Sequence, residues 1–363
     1  MSRFRSTVII VLFLGVLTAP HPSAAQPEVR ARIREAELIL KDMGLEYDTL
    51  ESKFFHILFV GAREFALERQ RILVKTRNNL IGLTRRMKLK VNQQHEKLLV
   101  ILLDSQEQMK QFAAHANGGN NLADWVAGYY QPLQNWAVFY NQRKGSNLAQ
   151  AERELNRMAQ RLLQMEGGPD VIVRINTPNG VVSKSKRQVA REMEAEWARI
   201  VAETMEFNTV VTQHEGTHQL AYNMGLQRRD ARYPFWVSEG LACVFESPPD
   251  RRQVQGAARL NEDRLIAYRR AVRQNKNLGM QKLASLHHPD AHHDIHGLYA
   301  ESWAMFAFFF KRYPVQLAAY MQHLADRPAK STESEIEAIE RFMKKPITIL
   351  EKEFERYIKR LKA

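Results

Sequence analysis

The sequence predicts an α+β protein, with a small mixed β-sheet and its helices in the first half and a mainly helical second half. Two observations predict this class. Up to residue 208, short runs of aromatic and β-branched residues alternate with amphipathic helical patterns. From residue 209 onward, the apolar residues recur mostly with the helical period.

The N-terminus has the composition of a cleavable signal peptide, which we assign to residues 1–25. Arg3 and Arg5 precede an apolar run at residues 8–17, and small residues at 23–25 predict cleavage before Gln26. The alternative is an uncleaved anchor, although the apolar run is too short for a comfortable membrane span. We therefore expect a secreted or periplasmic protein that contacts a membrane only if this segment is retained.

The first half is expected to alternate helices with strands. Residues 26–50 are predicted as an N-terminal helical segment, and residues 51–363 as one domain, in which residues 51–208 form the mixed half and residues 209–363 the helical half. The strands are predicted at residues 54–60, 98–103 and 136–140, with helices at 65–87 and 105–114.

A second group of elements precedes the helical half. Residues 148–165 read as a charged helix, and residues 171–182 as a hairpin around Pro178-Asn179-Gly180 that would extend the sheet. From Lys184 a long helical stretch leads into the next motif.

The chemistry-bearing motif is His214-Glu215-Gly216-Thr217-His218. Histidines four residues apart lie on one face of a helix, so both imidazoles can reach a single ion. Glu215 would lie beside that ion and act as a general base toward water. Gly225 provides a helix stop.

A second motif, Trp236-Val237-Ser238-Glu239-Gly240, opens another apolar helical run, with Ser238 as its expected N-cap. Glu239 would be the third metal ligand. Three protein ligands leave the fourth position open, as catalytic zinc requires. The sequence therefore predicts one Zn²⁺ per chain, held by His214, His218 and Glu239.

Together these motifs resemble the gluzincin, or peptidase-MA-like, zinc metallopeptidases, and most closely a group of secreted bacterial peptidase-MA-like domains of unknown substrate. The resemblance runs from about residue 54 to the C-terminus and includes Gly128-Tyr129-Tyr130 and the segment Tyr299 to Trp303. It implies a zincin-like fold. It also implies that an extended peptide pairs with an edge strand, for which residues 128–140 are the candidate region. The alternative is that this aromatic strand only contributes to the hydrophobic core.

The resemblance also assigns roles to residues outside the two motifs. Tyr299 matches a tyrosine that faces the site and could donate to an oxyanion, with His296 as the second candidate and plain helix-start packing as the alternative. At the position of Cys243 some relatives carry a carboxylate that orients a ligand histidine. This acid is absent here, so an active enzyme needs a different acid to hold His214 or His218, and Glu203, Glu206 and Glu246 are the candidates. Cys243 itself is expected to be buried.

Five of the twelve histidines fall within residues 287–296. Pro289 favours a loop over the active site, and a second metal site is the alternative. Helices are predicted around this segment at residues 259–274, 300–313, 315–324, 333–343 and 347–361, after a break at residues 247–249. Residues 305–310 are apolar nearly all round, which predicts a central buried helix.

Charge and composition limit the class of partner. The net charge of +13 favours anionic surroundings such as envelope polymers, but no nucleic-acid recognition motif is present.

We expect zinc-dependent hydrolysis of peptide bonds outside the cytoplasm. Because the Gly-x-Met-x-Asn segment of related aminopeptidases is missing, endopeptidase action is favoured. The alternatives are an inactive relative that binds peptides or anionic polymers, and a structural protein with an accidental motif.

Overall fold

The computed structural model describes residues 29–92, 94, 96–116, 118–119, 122–123, 126–177, 180–246, 260–290, 292–328 and 331–362. The expected signal peptide, the turn at residues 178–179 and the break at residues 247–249 lie outside the described residues. Among the described residues, every helix is too short or too polar to cross a bilayer.

The first half contains the expected mixed sheet, with five strands in the order β1-β2-β3-β5-β4. The three central strands are parallel, and the two edge strands are antiparallel to their neighbours. The strands are β1 (Asp48–Glu51), β2 (Phe55–Phe59), β3 (Leu98–Leu103), β4 (Gly128–Gln131) and β5 (Trp136–Tyr140).

The sequence patterns identified the central strands but not β1. This strand lies at the end of the segment expected to be helical, residues 26–50. Its sequence, Asp-Thr-Leu-Glu, contributes one buried apolar side chain, Leu50, so it carries no alternating pattern. Pairing with β2 supplies its hydrogen bonds, and tertiary context therefore decides its conformation.

Helices cover both faces of this sheet. The ring of Trp136 on β5 lies 5.7 Å from that of Phe112, whereas a Cβ on Gly128, which pairs with Phe139 of β5, would lie 2.9 Å from Val211. Alternate residues of a strand point to opposite faces, so the helices that carry Phe112 and Val211 lie on opposite sides. The helices of this half are α1 (Val29–Asp42), α2 (Arg63–Arg86), α3 (Gln106–Ala116), α4 (Ser146–Gln164) and α5 (Lys186–Asn223).

The long helical stretch and the helix of the first motif form one continuous helix, the 38-residue α5. A capping box between Ser185 and Gln188 begins it, and Gly225, with φ of 76°, follows its end as expected. Its C-terminal part, from Asn208, is largely buried between the sheet and the second half.

The expected hairpin is present as β6 (Ile172–Thr177) and β7 (Gly180–Ser185). The expectation that it extends the main sheet is wrong, because β6 and β7 form a separate two-stranded sheet that packs against α5. The face of this hairpin that carries Ile172 and Val181 is exposed to solvent.

The second half is helical in the described residues, and with the mixed sheet this confirms the α+β class. Within α9 (Ile295–Arg312), every residue from Gly297 to Phe310 is buried, which confirms the central helix. The helices are α6 (Phe235–Cys243), α7 (Glu262–Arg273), α8 (Met280–Ser285), α9 (Ile295–Arg312), α10 (Pro314–Asp326), α11 (Glu335–Met343) and α12 (Ile347–Arg360).

The start of α6 differs from the expectation. The helix begins at Phe235, whose N–H donates to Leu286 O at 2.7 Å, so Ser238 lies inside the helix and is not its N-cap. The Ser238 hydroxyl accepts a hydrogen bond from the Gln227 side chain at 2.8 Å. The Ser238 side chain therefore links α6 to Gln227 and does not cap the helix.

The helices α6 and α9 pack closely at Gly240. A Cβ at this position would lie 2.6 Å from Ser302 O and 2.7 Å from the Cβ of Phe306. Neither the backbone nor a Cβ can move aside as the end of a flexible side chain can. Only glycine permits this separation between the two helices.

We predict that Gly240→Ala lowers the free energy of unfolding by about 1–3 kcal/mol, the range for overpacked cores. Gly82→Ala is the matched control, because Gly82 lies inside α2 with open space around its Cβ position. That control should gain up to about 1 kcal/mol from helix propensity. Denaturant unfolding measures both, and equal effects of the two substitutions would contradict the close crossing.

Candidate metal centre

The first motif places its two histidines against each other on the buried part of α5. The ring centroids of His214 and His218 are 4.9 Å apart, and their Nε2 atoms are 3.2 Å apart. Each residue is 1 % exposed. The four-residue helical spacing therefore brings both imidazoles to one point, as predicted.

Glu239 reaches the same point from α6. Its Oε2 lies 3.1 Å from His214 Nε2 and 3.6 Å from His218 Nε2. For tetrahedral zinc with ligand bonds of about 2.0–2.1 Å, neighbouring donor atoms are about 3.3 Å apart. The three distances agree with this value, and two nitrogens with one carboxylate oxygen are a donor set that catalytic zinc uses. These residues can hold one metal ion.

Glu215 lies beside the three donors. It is 1 % exposed, and its Oε2 is buried with no hydrogen-bond partner among the described residues. Burial, with the charges of Glu239 and Glu246 added, raises the pKa of Glu215 to about 8, although His214 and the backbone N–H of Tyr130 act in the opposite direction. A carboxylate with one unused oxygen next to the donor group can accept a proton there.

Glu246 is the acid that contacts the histidine His214. Its Oε1 lies 2.7 Å from His214 Nδ1, whereas Glu203 pairs with Arg199 and Glu206 is exposed. Of the three acids that the sequence left open, Glu246 therefore fills the place.

Arg264 on α7 is a residue of this site that sequence reasoning missed. Its Nε and Nη2 donate to the two oxygens of Glu246 at 2.7 and 2.8 Å. Burial would raise the pKa of Glu246, but Arg264 and His214 hold it below its usual value. The contact joins residues 18 positions apart, so helical periodicity gives no signal for it.

Cys243 is fully buried, as expected. It lies next to His214, whose neighbours Cys243, Glu239 and Glu246 raise its pKa against the effect of burial. His214, Cys243 and Glu246 also form a second group with metal-binding spacing. This group uses the same histidine, whose Nδ1 is already bonded to Glu246.

The structure places Tyr299 against the donor group. Its ring centroid is 5.8 Å from that of His214, and the residue is fully buried in the second turn of α9 and not at the helix head. Burial and the charges of Glu239 and Glu215 raise the pKa of Tyr299 well above its ordinary value, so the phenol keeps its proton. A protonated hydroxyl can donate a hydrogen bond.

His296 is half-buried in the first turn of α9. Burial lowers its pKa, and the charged residues that act on it are Asp294 and Arg264. The contacts that the structure gives for His296 do not include the three donors. Its role in the site stays a prediction.

The remaining histidines of residues 287–293 lie in a loop between α8 and α9. His287 contacts Tyr233 O and Glu335, and His293 bonds to Asp290. Within the described part of the chain, no group with metal-binding spacing includes a histidine of this loop.

Comparisons with known proteins match the part of the chain that contains the site but do not give its activity. Residues 207–330 match the model of a family described as a protein of unknown function (DUF1570). The matched range contains all of the site residues described above. No curated protein matches the chain.

We predict that added zinc raises the midpoint of thermal unfolding of the wild-type protein and leaves that of His218→Ala unchanged. A ligand at 100 times its dissociation constant adds about 2.7 kcal/mol to the free energy of unfolding. His115→Ala is the control, since His115 is exposed on α3. Metal analysis should give one zinc per chain for the wild type and this control. A wild-type protein that neither binds zinc nor gains stability would contradict the site.

Proposed function

We propose that the protein is a zinc-dependent hydrolase of peptide bonds. The observation that carries this proposal is the convergence of His214, His218 and Glu239 next to a buried carboxylate, Glu215, with an unused oxygen. A site that only stores or structurally binds zinc needs no such base, because its coordination is closed by protein ligands. The proposal gives each residue a separate role.

Zinc held by His214, His218 and Glu239 would polarise the scissile carbonyl and increase the acidity of water. Glu215 takes the proton of the attacking water on Oε2 and returns it to the amine that leaves. A carboxylate beside the donors with one oxygen not engaged in a hydrogen bond can both accept that proton and release it again.

Tyr299 supplies a hydrogen bond to the oxyanion of the tetrahedral intermediate. Its ring packs on both His214 and Phe235, at 5.8 and 5.5 Å between centroids. The hydroxyl is thereby presented by a rigid helix instead of a loop. Because negative charge develops on the substrate oxygen only during the reaction, the interaction favours the transition state over the substrate.

An extended substrate would pair with β4. This strand is an edge of the sheet, and the backbone N–H of its Tyr130 donates a hydrogen bond to Glu215. Main-chain pairing at an edge strand accepts a peptide at any point along its length. With no recognised segment for holding a free amine, endopeptidase action is the form we propose.

We place this activity outside the cytoplasm, in line with the signal-peptide pattern of residues 1–25 and with a net charge of +13 that suits anionic surroundings. Peptides or proteins are the proposed substrates. Anionic envelope polymers are proposed as the surroundings in which the protein acts.

We predict that Glu215→Gln still binds zinc but hydrolyses peptides about 100-fold or more slowly, since a general base usually contributes a factor of this size to the rate. The amide has the same shape but cannot take the proton. Glu194→Gln, an exposed change on the same helix, is the control and should retain activity. Cleavage of a library of extended peptides measures this. If the zinc-loaded wild type cleaves nothing, the proposal fails and the peptide-binding alternative replaces it.

We predict that Tyr299→Phe lowers kcat by about 100- to 1000-fold with little change in KM, as loss of an oxyanion donor does elsewhere. Tyr268→Phe is the matched control, because Tyr268 is a buried tyrosine that packs on Phe354. Steady-state kinetics on the best substrate distinguishes the two. Unchanged kcat in Tyr299→Phe would leave this tyrosine with a packing role only.

A further inference from the structure

A buried chain of contacts runs from α7 to the metal donors. The guanidinium of Arg264 donates two hydrogen bonds to Glu246, and Glu246 Oε1 lies 2.7 Å from His214 Nδ1. The exposed fraction is 5 % for Arg264, 3 % for Glu246 and 1 % for His214. These side chains are therefore shielded from water, which would otherwise compete for the same atoms.

The middle member of this chain decides which nitrogen of His214 faces the metal site. An ionised carboxylate only accepts hydrogen bonds, so His214 Nδ1 must carry a proton toward Glu246, and Nε2 is the nitrogen available to a metal. Nε2 is the atom that faces His218 and Glu239. Glu246 thus orients the imidazole and selects the tautomer that can bind a metal.

Glu246 needs a partner to remain in this place. A carboxylate shielded from water is destabilised unless a charge and hydrogen bonds replace its hydration. Arg264 supplies both, through two parallel N–H bonds of a planar fork that lysine cannot reproduce. The Arg264 backbone is fixed in turn, because its N–H donates to Asn261 Oδ1 at the N-cap of α7.

Asn261 also ties α7 to the end of α6. Its side-chain amide donates to Glu246 O at 3.0 Å and to Cys243 O at 3.3 Å. The first turn of α7 therefore holds the segment that follows Glu239 on α6. Arg264 belongs to this contact between the two helices, because it bonds to both Asn261 and Glu246.

The same guanidinium contacts the other proposed catalytic group. Its Cζ lies 5.4 Å from the ring centroid of Tyr299. This distance is within the range of a cation–π contact. One side chain is thus linked to a metal donor through Glu246 and to the phenol directly.

We propose that Arg264 is a positioning residue, which fixes His214 for metal binding through Glu246 and fixes Tyr299 through its ring. The part that concerns His214 requires no catalysis. The part that concerns Tyr299 rests on the proposed function.

The test is a double-mutant cycle on zinc affinity, measured by competition with a chelator. Arg264→Met and Glu246→Gln should each weaken zinc binding by about 10- to 100-fold, the usual effect of losing a partner of a ligand histidine. If Arg264 acts through Glu246, the double variant loses no more than the larger single loss. Losses that multiply in the double variant would overturn the chain of contacts.

Two further variants separate charge and geometry from general damage. Arg264→Lys keeps the charge but not the fork, and its zinc affinity should lie nearer to that of Arg264→Met than to that of the wild type. Arg269→Met, on the same helix, removes bonds to Ile358 O and Leu361 O and should leave zinc affinity unchanged. If Arg264→Met unfolds, the zinc affinity of the double variant, which has no unpaired buried charge, is compared with that of Glu246→Gln instead.

Wild-type affinity in a folded Arg264→Met protein, or equal losses in Arg269→Met, would overturn the inference. The nitrogen chemical shifts of His214 provide a second readout, since the population with a proton on Nδ1 should fall in Arg264→Met and not in Arg269→Met. If zinc affinity follows these predictions while no variant cleaves peptides, the positioning of His214 stands and the proposed function fails.

Discussion

The burial of Glu239 between two histidines of another helix is the constraint on which the rest of the site depends. A carboxylate at 2 % exposure is stable only if its partners stay within hydrogen-bonding or metal-binding distance. The helix α6 must therefore hold its position against α5 to within a few tenths of an ångström. Gly240 allows the backbone of α9 to approach, and Trp236 stacks on Tyr320 with 5.8 Å between ring centroids and 8° between planes. Packing contacts that include no donor atom thus determine where the donor lies.

Charge balance leads to the same kind of ligand as the donor distances. Three carboxylates, Glu215, Glu239 and Glu246, are buried close together, and Arg264 is bonded to one of them. With Glu215 ionised and both histidines neutral, two negative charges remain, and the repulsion between carboxylates contributes to the raised pKa of Glu215. A divalent cation held by neutral His214 and His218 together with Glu239 would bring the net charge to zero. The donor spacing and the charge balance of this protonation state are both compatible with a dication.

The sequence predicted those parts of the site that depend on local spacing. The positions of His214 and His218 follow from the helical period, and Glu239 was found because a second motif lies close along the chain. Arg264 was missed, because its link to Glu246 depends on how α7 packs against the end of α6. The strand β1 was missed for a similar reason, since only its partner makes it a strand. The Ser238 cap was wrong because α6 begins at Phe235, whose N–H is bonded to the distant Leu286 O. Local patterns fail where a distant residue determines the conformation.

The edge strand β4 and the helix α5 are joined into one unit, which matters for any substrate that pairs with the strand. The missing Cβ of Gly128 lets Val211 of α5 pack on the strand, and the hydroxyl of Tyr130 donates to Asn135, which also bonds to Asn223 at the end of α5. Polar contacts at one end of the strand and close packing at the other prevent it from sliding along the helix. A peptide paired with β4 would therefore keep a fixed distance from Glu215. Catalysis depends on such positioning, because a displacement of about 1 Å can cost a factor of about 100 in rate. The sheet, which contributes no metal donor, would then contribute to the reaction by fixing the substrate.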